Sequence, residues 1–154
     1  MNGAVPVLSV NRLPRDTSVR APSDSISAFI AELKTLGGQY VPSPYVPLVW
    51  EFSKDQAPVF RRIVAVGDAA IAPLVQCIGN SSPTQTKIQR RFIPLGVLCY
   101  DALNRMIYHE ETSATGDMDP DWAGYITPEA TPSDLRRGQQ AWQQVIRSGT
   151  YKHN

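Results

Sequence analysis

The sequence has little of several things on which common classes of protein depend. It contains only two cysteines and two histidines among 154 residues, and 15 Lys and Arg residues nearly balance 14 Asp and Glu residues, for a formal charge of +1. Two cysteines are too few for a scaffold of several disulfides or for a zinc site without other ligands. The balanced charge disfavours a protein that works mainly through a strong field on nucleic acid or on an anionic membrane.

Long apolar runs are also lacking. No stretch approaches the ~18 consecutive apolar residues that a membrane span needs, so we expect no membrane partner. The N-terminal segment MNGAVPVLSVNRLPRD has no basic start, and proline interrupts its short apolar part, unlike a secretory signal. These features predict a cytoplasmic protein, with the periplasm as the alternative if a leader has been removed.

The two cysteines, Cys77 and Cys99, both lie among apolar residues of predicted helices. An unpaired cysteine in such surroundings behaves as a small hydrophobic residue, so we expect two buried thiols. The alternative is one disulfide between neighbouring helices, which would indicate an oxidising compartment.

Apolar residues recur at helical spacing along most of the chain. This periodicity predicts helices over about residues 24–36, 58–66, 68–78, 94–108 and 132–148. No segment alternates convincingly between apolar and polar residues, as a strand would. We therefore predict an all-α fold, a compact bundle of about five to six helices over residues 25–154. Residues 1–24 contain three prolines and no helical period, which predicts an extended N-terminal arm.

The stretch AVGDAAIAPLVQCIGN, residues 65–80, joins a Gly-Asp turn to a short apolar helix with Pro73 near its first turn. The order of helix, Gly-Asp turn, short helix with an early proline and polar turn resembles a unit of the HEAT-like helical repeat family. The resemblance covers about residues 57–82 and extends towards residue 110. It implies antiparallel helical hairpins. Because no second copy follows at a fixed period, a long solenoid is not expected.

The segment from residue 40 to residue 52 is the most aromatic part of the chain and holds three prolines. Prolines stiffen a segment, so less entropy is lost when it docks on a partner. We expect Trp50 and Phe52 to cover the core. Tyr40 and Tyr45 are predicted to be free for a protein partner, because aromatic residues are enriched at the centres of interfaces.

The polar stretch 111–130 is long for a connection in a compact domain, which favours either a functional or a mobile loop. Its candidate partner-binding residues are three acids and two aromatic residues, namely Asp117, Asp119, Asp121, Trp122 and Tyr125. Negative charge combined with aromatic anchors suits a protein that fills a cleft on a basic partner.

The same acids begin like a calcium-binding loop, in which oxygen ligands alternate along the chain. The sixth position of such a loop requires Gly and here holds Trp122, and the twelfth requires Glu and here holds Pro128. Together with His109 these acids give one alternative, a divalent-metal-dependent enzyme that uses the region 109–121. No second histidine follows at helical spacing, and we predict no catalytic residue, metal ligand or cofactor.

Adjacent arginines occur three times, as Arg61-Arg62, Arg90-Arg91 and Arg136-Arg137. Consecutive helical residues are ~100° apart, so only one member of each pair can face a common ridge. We expect these arginines to pair with local acids on solvated faces. A nucleic-acid-binding helical domain is the alternative that they leave open.

The favoured function is a non-catalytic module that binds a protein partner, since stacked helices offer a surface and no reaction centre is visible. Small bacterial proteins of one helical-repeat-like domain are often inhibitors or immunity proteins. The resemblance in size and architecture implies that this chain binds and blocks a toxin or effector.

Overall fold

The computed structural model describes residues 22–42, 50–52, 57–109, 121–149 and 151–153. Its α-helices are α1 (Pro22–Thr35), α2 (Ala57–Val66), α3 (Ile71–Ile78), α4 (Leu95–Met106) and α5 (Pro132–Ser148), with a 3₁₀-helix at Gly67–Ala70. Its strands are β1 (Tyr40–Pro42), β2 (Trp50–Phe52), β3 (Pro83–Ile88), β4 (Arg91–Pro94), β5 (Ile107–His109) and β6 (Tyr151–His153). The strands pair as three antiparallel two-stranded sheets, β1–β2, β3–β4 and β5–β6. No helix in these ranges is long and apolar enough to cross a membrane.

The prediction of an all-α bundle is wrong, because the fold combines helices with antiparallel strands. The clearest departure is the β3–β4 hairpin, which occupies residues between α3 and α4 that were expected to form no regular strand. Along β3, buried residues alternate with exposed ones, and Thr84, Thr86 and Ile88 point inwards. Two of these three are threonines, which are only weakly apolar. The sequence therefore shows little alternation between apolar and polar residues here, although β-branched residues suit a strand.

The helix–turn–helix order predicted between residues 57 and 78 is present. The helix α2 ends before Gly67, whose φ of 80° lies in the left-handed region that glycine adopts without steric penalty. A 3₁₀ turn then leads into α3, with Pro73 in its first turn, where a missing N–H removes no helical hydrogen bond. The next element is the hairpin and not another helix, and membership of a HEAT-like family stays a prediction.

The helix α4 lies at the centre of the core, because it is apolar on nearly all sides. Every residue from Leu95 to Leu103 is buried, and the helix packs against α3, α2 and α1. The largest fully buried side chains around it come from every α-helix, among them Ile26, Leu33, Phe60, Ile63, Leu74, Leu98, Leu135 and Trp142.

The start of α5 carries a capping sequence, and the helix begins at residue 132 as predicted. The Thr131 hydroxyl oxygen accepts a hydrogen bond from the Asp134 backbone N–H at 3.1 Å, and an Asp134 carboxylate oxygen accepts one from the Thr131 N–H at 2.9 Å. This reciprocal pair is a capping box, and Pro132 occupies the first helical position. The helix runs to Ser148, the predicted last residue, and Gly149 is its C-cap.

Cys77 of α3 and Cys99 of α4 form a disulfide. The expectation of two unpaired thiols is therefore wrong, although both residues are buried as expected. The two helices pack side by side, which places the Cα atoms 6.0 Å apart, within the range that a disulfide spans.

The division of the chain into an arm and a domain stays a prediction, since residues 1–21 lie outside the described ranges. The last three residues of the proposed arm, 22–24, belong to α1.

Candidate functional site

Tyr40, predicted to be free for a partner, lies in the core with 4% of its surface exposed. Burial raises its pKa well above the usual value, and the nearby Asp101 carboxylate, to which it is hydrogen-bonded, raises it further. A side chain enclosed in this way cannot meet a partner at the surface. We therefore remove Tyr40 from the candidate contact surface.

The carboxylate that Tyr40 faces belongs to a polar cluster on α4. The Arg105 Nε donates a hydrogen bond to an Asp101 carboxylate oxygen at 3.1 Å, and the Asp101 side chain is only 9% exposed. The Arg105 guanidinium also lies over the Phe60 ring, 4.6 Å from its centroid. A buried charge needs such partners, so this cluster holds α2 and β1 against α4. The signal in the sequence is an acid within an apolar helix followed by Arg at the fourth position, which the sequence analysis missed.

Trp122 and Tyr125 lie on a loop, residues 121–130, which packs against α5. We call this loop the aromatic loop. The Trp122 ring meets the buried Trp142 edge-on, with centroids 5.0 Å apart, and the Tyr125 N–H donates to the Trp122 carbonyl oxygen at 2.9 Å. The Trp142 indole N–H donates to the Gly124 carbonyl oxygen at 3.0 Å. Both loop rings remain only partly buried, so each keeps an exposed portion in a fixed position. Burial also raises the pKa of Tyr125.

The acidic part of the predicted site is only partly described. Asp121 is exposed at the start of the described loop, whereas Tyr45, Asp117 and Asp119 lie outside the described residues. Their contribution to partner binding therefore stays a prediction.

The metal-dependent alternative is tested by the structure only in part. No group of three or more His, Cys, Asp or Glu residues that could hold a metal ion occurs among the residues whose positions are described. Two of the proposed acids and the side chain of His109 lie outside that set, so this alternative also stays a prediction.

Each of the three arginine pairs has one member that meets an acid, and only the acid paired with Arg137 is a neighbour in sequence. The ion pairs are Arg62 with Glu32, Arg91 with Glu129 at 3.5 Å, and Arg137 with Asp134 at 2.9 Å. The other three members, Arg61, Arg90 and Arg136, are exposed. This arrangement agrees with the predicted pairing on solvated faces, and it leaves nucleic-acid binding untested.

The tip of the β3–β4 hairpin is a feature that the sequence analysis missed. Phe92 is 48% exposed, more than any other large apolar side chain whose burial the structure describes. Lys87 stands opposite it on β3 and places its Nζ 5.2 Å from the centre of the ring. Arg90 and Arg91 are exposed beside them. We call these four side chains the hairpin tip, and the signal for it is a phenylalanine directly after two arginines.

One buried threonine hydroxyl joins the two strands of the hairpin, and a second attaches β3 to the end of α1. The Thr84 hydroxyl donates to the Ile93 carbonyl oxygen at 2.7 Å, and the Thr86 hydroxyl donates to the Leu36 carbonyl oxygen at 2.6 Å. The Arg91–Glu129 ion pair also connects the tip to the loop 121–130. The aromatic loop and the hairpin tip therefore lie next to each other.

A groove of about 650 Å³ opens between α1, α3, α4 and α5. Arg136 is the single charged side chain among the described residues that line it. Gln139, which also lines it, donates its amide N–H groups to the carbonyl oxygens of Val75 at 3.2 Å and Gln76 at 2.7 Å. Gln139 thus satisfies carbonyls at the end of α3, where a helix leaves them without partners. Among the described residues that line it, there is no carboxylate or imidazole for acid–base chemistry.

Comparisons with known proteins add no relative from which a role could be transferred. No family model, no curated protein and no solved structure matches the chain. The case for a function therefore depends on the geometry of the aromatic loop and the hairpin tip.

Proposed function

We propose that this chain is a non-catalytic module that binds a protein partner. The observation that carries the proposal is the aromatic loop 121–130, in which Trp122 and Tyr125 are partly exposed and already held in place. Aromatic side chains contribute much of the energy of protein interfaces, and a preformed loop loses little entropy on binding.

Within this class, we propose an inhibitor or immunity protein that binds and blocks a toxin or effector. The support is the resemblance of residues 57–82 to a HEAT-like unit and the small size of the domain. The support is therefore an analogy of architecture.

We also propose an oxidising compartment in place of the cytoplasm expected from the sequence. The support is the disulfide between Cys77 and Cys99, which uses both cysteines of the chain. Disulfides form and persist in periplasmic and extracellular settings and are rare in the cytosol.

The binding role is tested by capturing partners from host extract with the tagged full chain and measuring the affinity of the purified partner by calorimetry. Replacing Tyr125 by Ala should weaken binding by about 2 kcal/mol, or roughly thirtyfold in Kd, if the ring is central to the contact. Val64→Ala is the matched control, because Val64 is an exposed apolar residue on α2. Unchanged affinity in both Tyr125→Ala and Trp122→Ala would contradict the proposed surface.

The blocking role needs a separate measurement. The activity of the captured partner is titrated with the wild-type chain, and inhibition is expected to be complete at one equivalent. A tight complex in which the partner stays fully active would refute the inhibitor role and leave the binding module standing.

A further inference from the structure

We propose that the hairpin tip is a second contact site, which binds an acidic segment with an apolar residue on a protein partner. This inference rests on the proposed protein-binding function and identifies the chemistry of a surface next to the aromatic loop.

The first argument is the exposure of Phe92. An aromatic ring that is 48% exposed leaves apolar surface in contact with water, and such surface gains free energy when a partner covers it. Lys87 lies over the same ring at 5.2 Å, so the apolar contact and a positive charge are presented together.

The second argument is charge. Residues 83–94 contain three cations, Lys87, Arg90 and Arg91, and no acid. Arg91 meets Glu129, but the ion pair spans 3.5 Å between two side chains that are about half exposed, and such pairs are weak. Carboxylates on a partner can therefore form ion pairs with these cations without displacing a strong contact within the protein.

The third argument is the fixed position of the tip. The Thr86 hydroxyl donates to the Leu36 carbonyl oxygen and the Lys87 N–H donates to the Gly38 carbonyl oxygen at 2.9 Å, so both anchor β3 beside the end of α1. The Thr84 hydroxyl joins β3 to β4. The turn contains Gln89 with a φ of 54°, a left-handed conformation that is uncommon outside glycine. A tip held in this way loses little conformational entropy when it binds.

A protein partner explains these features better than a nucleic acid does. Single strands bind across several aromatic rings on which successive bases stack, whereas Phe92 is the one strongly exposed aromatic ring among the residues whose side-chain burial the structure describes. The whole chain also carries a formal charge of only +1. One ring surrounded by a few cations instead matches the small, concentrated contacts of protein interfaces.

The probe for the test is a fluorescent peptide with alternating Asp and Glu around one central Leu. A matched peptide carries Asn and Gln in place of the acids, and a mixed-sequence single-stranded RNA tests the other class of ligand. Binding to the full chain is followed by fluorescence anisotropy at low and at physiological ionic strength. We expect binding of the acidic peptide alone, weakening as salt screens the charges.

Variants of the tip give the decisive comparison. We expect Phe92→Ala to weaken peptide binding about thirtyfold and Lys87→Gln with Arg90→Gln to weaken it about tenfold with a smaller salt dependence. Arg61→Gln, which removes an exposed arginine from α2, should bind like the wild type. All variants should melt at the wild-type temperature, since the replaced side chains are exposed.

Three results would overturn the inference. These are no binding of the acidic peptide at low salt, equal binding by the tip variants and Arg61→Gln, or tighter binding of RNA that Phe92→Ala abolishes. The proposed protein-binding function is tested separately, by capture of a partner and by Tyr125→Ala. A failed peptide test would therefore remove the hairpin tip as a contact site and leave the proposed function standing.

Discussion

A β-carbon on Gly96 would lie 2.1 Å from the carbonyl oxygen of Ile78. The end of α3 and the start of α4 thus approach each other through backbone atoms. The close approach lets the Gly96 N–H donate to the Asn80 carbonyl oxygen at 2.8 Å, and the Leu95 N–H donates to the Ser82 carbonyl oxygen at the same distance. Amides that a helix N-terminus leaves without partners are satisfied there by the chain that follows α3.

Replacing Gly96 by Ala should lower the free energy of unfolding by about 3 kcal/mol, because the new methyl group must push two helices apart. Urea denaturation of the purified variant measures the change. Gly37→Ala is the matched control, since a β-carbon at Gly37 would meet no atom within 4 Å. Equal midpoints for the two variants would show that the contact between α3 and α4 adapts easily.

Reduction of the Cys77–Cys99 disulfide should destabilise the folded chain. The bridge closes a loop with a sequence separation of 22 residues. The loss of chain entropy in the unfolded state then corresponds to about 3 kcal/mol of stability. Thermal melting with and without reductant measures the effect, and the double variant Cys77→Ala with Cys99→Ala should not respond to reductant. A melting temperature that is insensitive to reduction in the wild type would contradict a stabilising bridge.

Loss of the cap at the start of α5 should have a smaller effect. Thr131→Ala removes the hydroxyl that accepts the Asp134 N–H, and we expect about 1 kcal/mol of destabilisation in urea. Thr127→Ala, a change in the preceding loop, serves as a comparison. If the two variants have the same stability, the capping box does not contribute.

The same capping box predicts an acid dependence. The pKa of Asp134 is lowered by three contacts. The largest effect comes from the hydrogen bond with the Thr131 backbone N–H, followed by the hydrogen bond with the Thr131 side chain and then the contact with Arg137. A lowered pKa in the folded state gives stability that is present above the unfolded value of about 3.9 and is lost as pH falls through the folded value. Urea midpoints measured from neutral pH down through this window should fall less steeply for Asp134→Asn than for the wild type. Parallel curves would exclude the linkage.

Two buried tyrosines predict an alkaline dependence of the opposite kind. Burial raises the pKa of Tyr100 and of Tyr40, although hydrogen bonds from the Asn104 side chain and the Ile126 backbone oppose the shift at Tyr100. A raised pKa gives stability that is complete below the unfolded value of about 10 and is lost as pH rises from there through the folded value.

Ultraviolet titration with parallel circular dichroism checks this expectation. Fewer than the six tyrosines of the chain should ionise while the helical signal is intact, and the remainder should ionise as the chain unfolds. Tyr100→Phe should remove one late-ionising group. Ionisation of all six near pH 10 in the folded chain would contradict the burial of these rings.

The parts of the fold that were predicted correctly depend on short stretches of sequence. The order of Thr131, Pro132 and Asp134 defines the start of α5, because capping involves only neighbouring residues. Gly67 ends α2 for the same local reason. The apolar residues of α4 predict a central helix, since a helix that is apolar on most sides is stable only when its neighbours enclose it.

The candidate site was less accessible from the sequence. An aromatic residue in a proline-rich segment can face a partner or the core, and only the packing against α4 places Tyr40 inside. Trp122 and Tyr125 were identified from composition, but the edge-on contact with Trp142 that fixes the loop joins residues 20 positions apart. The exposed Phe92 was missed because its hairpin was not predicted.

The sequence alone determined the bounds of α5 and the end of α2, because caps, prolines and glycines act over a few residues. It wrongly extended α4 to residue 108, where Ile107–His109 form β5 and pair with β6. Only the tertiary structure decided that residues 83–94 form a hairpin, since the threonine hydroxyls of β3 find their acceptors in β4 and at the end of α1. It also decided the pairing of Cys77 with Cys99 and the ion pair of Asp101 beneath Tyr40. Buried polar groups need specific hydrogen-bond or ion-pair partners. Here those partners are distant in sequence, so only the packing of helices and strands against one another brings them within reach.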